Sequence, residues 1–232
     1  MLRFYPLEQG RLLMSNGSRD YAEVADHLHT AVVSDILDHL GYRNQVLSPG
    51  IGCVAGPPRV VGRARTARVR PVGESPAEPY ALLLKGIDSL QSDDVLVLAS
   101  DGRQSSGLFG GLLGTAVVAA GAKGVLLDGL TRDQAELERL GLPTFAAGCS
   151  PLDSLGRDDV DALDLAVSMH GVVIATGDLV VADEDGVVIV PGNLVESVIP
   201  AALEKRGRES EMRAALRDGM SASEAFRKFG VL

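Results

Sequence analysis

Apolar positions in this chain follow three patterns, and each predicts a kind of element. Val33, Ile36, Leu37 and Leu40 recur at three- and four-residue steps, which places them on one face of a helix that starts at Thr30 and stops at Gly41. Tyr21, Val24 and Leu28 predict a shorter helix before it, beginning near Ser18. Residues 62–70, GRARTARVR, alternate small or apolar residues with basic ones, the period of a half-exposed strand. The runs VLVLAS (95–100) and VLL (125–127) are unbroken, as in strands covered on both faces.

The rest of the chain follows from the same rules. A helix is predicted over 80–90, another after Asp133 through Ala135, Leu137 and Leu140 to a stop at Gly141, and a strand over 143–146. Residues 42–62 and 71–79 read as loops. Residues 152–165 hold five aspartates with no hydrophobic period and predict a solvated excursion. Strands return after Ala166, with a hairpin at Asp185-Gly186 that makes Asp183, Glu184 and Asp185 turn residues. From Asn193 the chain reads as helix through Met212 to Leu216, then as a second short helix from Ser221. Strands 95–99 and 125–127, joined through a helix, call for a right-handed parallel crossover. Residues 1–20 read as an N-terminal arm and 21–232 as one α/β domain without internal repeats.

Composition narrows the partners. A net charge of −9 opposes nucleic acid or an anionic membrane surface, so the arginines of residues 62–70 are expected to pair with the protein's own carboxylates. The two cysteines, Cys53 and Cys149, lie far apart with no ligand spacing around them and read as reduced thiols. The first ten residues lack the apolar core of a signal peptide, and no run reaches membrane-spanning length, so a cytoplasmic location is expected.

The stretch 107–133, GLFGGLLGTAVVAAGAKGVLLDGLTRD, concentrates the candidate chemistry. Gly107, Gly110 and Gly111 precede a helix whose first N–H groups have no internal partner, a place that attracts an anion. The following strand and a short turn over 128–131 deliver Arg132 beside Asp133, at the strand end where α/β sheets bind ligands. The same glycines also serve as turn formers, and an aspartate also suits a helix start; the combination singles the stretch out. Asp35 and His39, at i,i+4 spacing, read as a solvated face, and His170 as structural.

With VSDILDHLG, GIDSLQSDDVLVLAS, the 109–133 core, LPTFAAG and GDLVVADEDGVVIVP in that order, the chain resembles the RraA-like family, which includes the 4-hydroxy-4-methyl-2-oxoglutarate aldolases and the regulator of ribonuclease E activity. The resemblance implies an α/β/β/α sandwich of the phosphohistidine swivelling-domain type, assembled as homotrimers or hexamers with sites at subunit clefts. It implies that Arg132 binds pyruvate's oxygens, that Asp133 holds a divalent metal, Mg²⁺ or Mn²⁺, and that backbone amides of Gly110, Gly111, Leu112 and Leu113 hold the substrate carboxylate. Arg132 and Asp133 are then the catalytic pair.

One position departs from the aldolase pattern, which places an aspartate twenty-one residues before the arginine; here that residue is Gly111. If the chain lacks that carboxylate, Gly111→Asp is expected to raise turnover; if Asp101, or a neighbouring subunit's Glu209 or Glu211, stands in for it, no gain is expected. The implied function is a metal-dependent lyase that releases pyruvate from a 4-hydroxy-2-oxo acid, with oxaloacetate decarboxylation as a neighbouring reaction. No lysine sits beside the site, which disfavours a Schiff-base aldolase. The alternative from another class is a non-catalytic regulator that binds a ribonuclease.

Overall fold

A computed structural model describes residues 14–15, 18–19, 21–47 and 49–231, so the predicted N-terminal arm lies almost wholly outside the described residues. In chain order the elements are β1 (Met14–Ser15), β2 (Ser18–Arg19), α1 (Ala22–Ala25), α2 (Thr30–His39), β3 (Gly52–Ala55), β4 (Val60–Pro71), α3 (Ala81–Asp88), β5 (Asp94–Ala99), β6 (Gly107–Phe109), α4 (Gly111–Ala119), β7 (Gly124–Leu127), β8 (Leu130–Thr131) and α5 (Gln134–Leu140). There follow β9 (Thr144–Ala146), β10 (Gly148–Cys149), β11 (Asp158–Leu163), β12 (Val167–Met169), β13 (Val172–Ile174), β14 (Leu179–Asp183), β15 (Gly186–Val190), a 3-10 turn (Gly192–Leu194), α6 (Val195–Arg217) and α7 (Ala222–Phe229).

The main sheet runs β15-β14-β4-β5-β7-β9-β3, with β11 also on β4. Its centre, β4-β5-β7-β9, is parallel, and β14, β15, β11 and β3 join antiparallel. Side-chain alternation explains why the apolar runs are unbroken. On β5, Val95, Val97 and Ala99 enter one core while Leu96 and Leu98 enter another. On β14, Val180 and Ala182 share the core of Val95, whereas Leu179 and Val181 pack under α2 and α6 with Leu37, Val198 and Ile199. Two halves of one curled sheet thus face each other across a shared core, with α3, α4 and α5 outside one half and α2 and α6 outside the other. That is the four-layer α/β/β/α arrangement the resemblance implied.

Several local readings need correction. The first helix does not begin near Ser18, since Ser18–Arg19 is β2 and α1 starts at Ala22, and residues 42–62 are not all loop, since they hold β3 and the first residues of β4. Residues 152–165 are a solvated excursion only in their first part, where 152, 153, 155 and 157 are exposed; from Asp158 on, β11 pairs with β4, Arg68 grips Asp161 with Nε and Nη2 at 2.8 and 2.9 Å, and Asp158 is buried. Asp161 and Asp164 answer the arginines Arg68 and Arg65 of β4, and these charges hide the strand's apolar period. Leu130 and Thr131 form a short strand rather than a turn. Asp183 closes β14 instead of sitting in the hairpin turn; buried, it accepts bonds from the Thr30 N–H (2.9 Å) and hydroxyl (2.6 Å) and so caps α2 from across the sheet.

Three of the four arginines of β4 pair with the protein's own carboxylates, as expected, while Arg63 lies over the Tyr21 ring. Arg65 lies 3.3 Å from Asp164 and 3.8 Å from Asp94, and Arg70 pairs with Asp101. Both cysteines are free, and no helix among the described residues is long and apolar enough to cross a membrane.

Candidate active site

A second, three-stranded parallel sheet, β10-β8-β6, forms just beyond the ends of β5, β7 and β9 and assembles the site. Phe109 on β6 pairs with Thr131 on β8. The Phe109 carbonyl accepts both the Arg132 N–H at 2.8 Å and the buried Thr131 hydroxyl at 2.6 Å. The next residue on each strand is therefore fixed against the other: Gly110, which opens α4, faces Arg132 and Asp133, which lead into α5.

Buried carboxylates hold the loops that feed this sheet. Asp128, at the end of β7, accepts the Ser100 N–H (2.6 Å), the Ser100 hydroxyl (2.7 Å) and the Gly102 N–H (2.9 Å). Asp158 accepts the hydroxyls of Ser105 (2.5 Å) and Ser106 (2.6 Å) and Arg103 Nε (3.1 Å). Burial pushes the Asp158 carboxyl up, but the two hydroxyls and the guanidinium outweigh it and hold the group below the ordinary carboxylate range.

The glycines also clear space within the protein. A Cβ on Gly110 would lie 2.7 Å from Asp133 Oδ2 and 2.9 Å from Arg132 Cγ, and one on Gly107 would lie 3.0 Å from Arg132 Cβ. They clear space for the protein's own arginine and aspartate. Asp133, itself in the left-handed region at φ 55°, turns its half-exposed carboxylate onto the start of α4, where Oδ2 accepts the Gly111 N–H at 3.1 Å. Helix geometry leaves the Leu112 and Leu113 amides without an intrahelical acceptor. The Leu112 side chain projects into solvent, 89% exposed, while Leu113 packs on the core.

Arg132 stands among carboxylates. Its Nε is 3.6 Å from Asp133 Oδ2 and its Nη1 3.2 Å from Asp153 Oδ1. Burial pushes Asp153 up, yet the Leu155 N–H, the Arg132 guanidinium and the Tyr80 hydroxyl more than offset it and keep the carboxyl below its usual range.

Glu136 is the site residue that sequence reasoning missed. A Cβ on Gly111 would fall 2.7 Å from Glu136 Cγ, so this glutamate, in the first turn of α5, fills the space that an aspartate at position 111 would take. Arg139 pairs with it. Its spacing of three residues after Asp133 was the available signal, but an acid in a first helical turn is also what the helix dipole favours. Of the substitutes expected, Asp101 pairs with Arg70, Glu209 lies 3.8 Å from Lys205 on α6, and Glu211 is exposed on the same helix. Asp35 pairs with Lys205, and His170 is an exposed turn residue at φ 49°.

The donors around Asp133 are carboxylate oxygens, which suit a small hard cation. No group of three or more His, Cys, Asp or Glu that could hold a metal exists among the described residues. Mg²⁺ or Mn²⁺, which keep most of their waters, fit such a sparse set; a closed tetrahedral zinc site does not.

Comparison with known proteins gives the family. The chain is 27% identical over 213 residues to a Halalkalibacterium halodurans protein named "Putative 4-hydroxy-4-methyl-2-oxoglutarate aldolase", covering 92% of this chain and 96% of that one. A Laribacter hongkongensis protein of the same name is 31% identical over 71% of this chain and 98% of its own. Among solved structures, Streptomyces coelicolor RraAS2, described as an unusual member of the RNase ES inhibitor RraA protein family, superposes with a TM-score of 0.74 at 30% identity, over 83% of this chain and 96% of that one. An uncharacterized Pseudomonas syringae protein gives 0.77 at 29% identity, over 88% and 94%. The RraA-like family model, described as Aldolase/RraA, matches residues 30–189, and the chain belongs to that family.

Proposed function

We propose that the protein is a divalent-metal-assisted lyase that cleaves a 4-hydroxy-2-oxo acid of the 4-hydroxy-4-methyl-2-oxoglutarate type to release pyruvate, with oxaloacetate decarboxylation as a neighbouring activity. The observation that carries this reading is the β6–β8 register, which sets the start of α4, Arg132, Asp133 and Glu136 in one cluster. The relatives' names support the reaction class.

Asp133 would hold the cation, with Glu136 near it. When bound, Mg²⁺ or Mn²⁺ supplies Lewis acidity toward the oxygens of the 2-oxo acid. The Leu112 and Leu113 amides, at the positive end of α4, take the substrate carboxylate. In retro-aldol cleavage the C4 hydroxyl proton passes to the Glu136 carboxylate, directly or over one water, as the C3–C4 bond breaks. The electron pair moves toward the keto oxygen, where the Arg132 guanidinium offsets the growing charge. The protonated Glu136 then returns its proton to C3, directly or over one water, which gives pyruvate. Oxaloacetate leads to the same enolate by losing CO₂, with no hydroxyl proton to remove.

The outer face of α4 supports an assembly. Residues 111–119 carry no charge, yet Leu112, Thr115, Ala116, Val118 and Ala119 are exposed, and a helix apolar all round is normally covered. A second copy of the chain would cover it, in a homotrimer or hexamer.

The test is pyruvate release from both substrates with Mg²⁺ and with EDTA. Chelator-sensitive turnover is expected. No turnover of either substrate would instead favour the non-catalytic, ribonuclease-binding reading that the description of the Streptomyces neighbour suggests.

A further inference from the structure

Arg132 is held from more sides than ligand binding alone requires. Its stem lies over Gly107 and Gly110, and its Nη1 meets Asp153 Oδ1 at 3.2 Å. That same oxygen accepts the Tyr80 hydroxyl at 3.3 Å and the Leu155 N–H at 3.4 Å, and the Asp153 carbonyl accepts Arg157 Nη1 at 2.7 Å. Tyr80, just before α3, occupies the left-handed region at φ 64°, an unfavourable place for a bulky residue, where its N–H bonds Asp159 Oδ2 at 3.1 Å. Burial pushes the Tyr80 hydroxyl up, so it stays protonated and donates. The Asp153 side chain is 49% exposed, so core packing does not account for this anchoring.

We propose, on the basis of the lyase reading, that Asp153 is a positioning residue aimed by Tyr80: it clamps the Nη1 side of Arg132 while Asp133 flanks Nε, leaving Nη2 to meet the 2-oxo acid. A guanidinium fixed on two sides presents its remaining donors at one angle, and such preorganisation acts in the transition state more than in ground-state binding. The shortest contacts of Arg132 with these two carboxylates run through Nε and Nη1.

The experiment places Asp153→Asn and Tyr80→Phe in the parent and in Arg132→Lys. It measures oxaloacetate kinetics with Mg²⁺, oxalate binding by calorimetry, and thermal melting. Asp153→Asn is expected to lower kcat about tenfold, and Tyr80→Phe about threefold, with KM changed less than about threefold. In Arg132→Lys, where the clamped group is gone, neither should change kcat by more than about twofold. Equal losses in both backgrounds, with lowered melting, would mean a structural role and overturn the proposal. So would a fall in KM at unchanged kcat, which would make Asp153 a competitor for Arg132. If the parent is active and both variants match it, the proposal fails while the lyase reading stands. If the parent neither turns over oxaloacetate nor binds oxalate, both fail.

Discussion

On the proposed lyase reading, Glu136 decides whether glycine at position 111 costs the protein its chemistry. With its Cγ 2.7 Å from where a Gly111 Cβ would be, a carboxylate is already present on that side of the site, delivered from α5 instead of α4. Glu136→Ala should lower pyruvate release from 4-hydroxy-4-methyl-2-oxoglutarate by about a hundredfold or more, the range of a positioned acid–base group. Gly111→Asp alone should bring no gain, the outcome expected where another carboxylate already serves, because it crowds Glu136 and sets two carboxylates together. The pair Gly111→Asp with Glu136→Ala exchanges one carrier for the other and should recover much of the loss. Steady-state rates of the three variants check this, and a Glu136→Ala protein at the parent rate removes Glu136 from the reaction. The sequence could not place this residue, because the contact joins the first turns of two helices that only the β6–β8 register brings side by side.

At the scale of elements, the site depends on how the loop between β5 and β6 is tied down. Asp158 reaches it from β11 through Ser105, Ser106 and Arg103. Replacing it by asparagine keeps the shape but loses the charge on three bonds, and should cost about 2 kcal/mol in urea unfolding. The folded pKa is depressed, so the carboxylate's contribution is complete above the unfolded value of about 3.9 and is lost as pH falls through the folded one. Asp158→Asn should therefore flatten the fall of stability below about pH 4; a variant with the parent's acid profile would assign that fall to other groups. None of this was legible in residues 152–165, where aspartates pair with arginines distant in the chain, Arg65, Arg68, Arg103 and Arg132, and leave no apolar period to read. By contrast 95–100 and 125–127 announced themselves, since strands buried on both faces show as unbroken runs.

For the whole molecule, the order of the sequence blocks carried the architecture, and the two-sided burial of β5, β14 and β15 accounts for it physically. A single chain leaves the uncharged face of α4 open beside the site. Val118→Lys, on that face and away from the helix start, should shift the assembly toward monomers in light scattering, and an unchanged mass would place the subunit contact elsewhere. The lyase reading itself meets its most direct test in pyruvate release from 4-hydroxy-4-methyl-2-oxoglutarate, compared between the parent and Asp133→Ala in Mg²⁺ and in EDTA. The parent is predicted to release pyruvate only with Mg²⁺, and Asp133→Ala to stay at the protein-free rate in both. A parent no faster than the protein-free control, or an Asp133→Ala protein with the parent's rate and metal response, would contradict it.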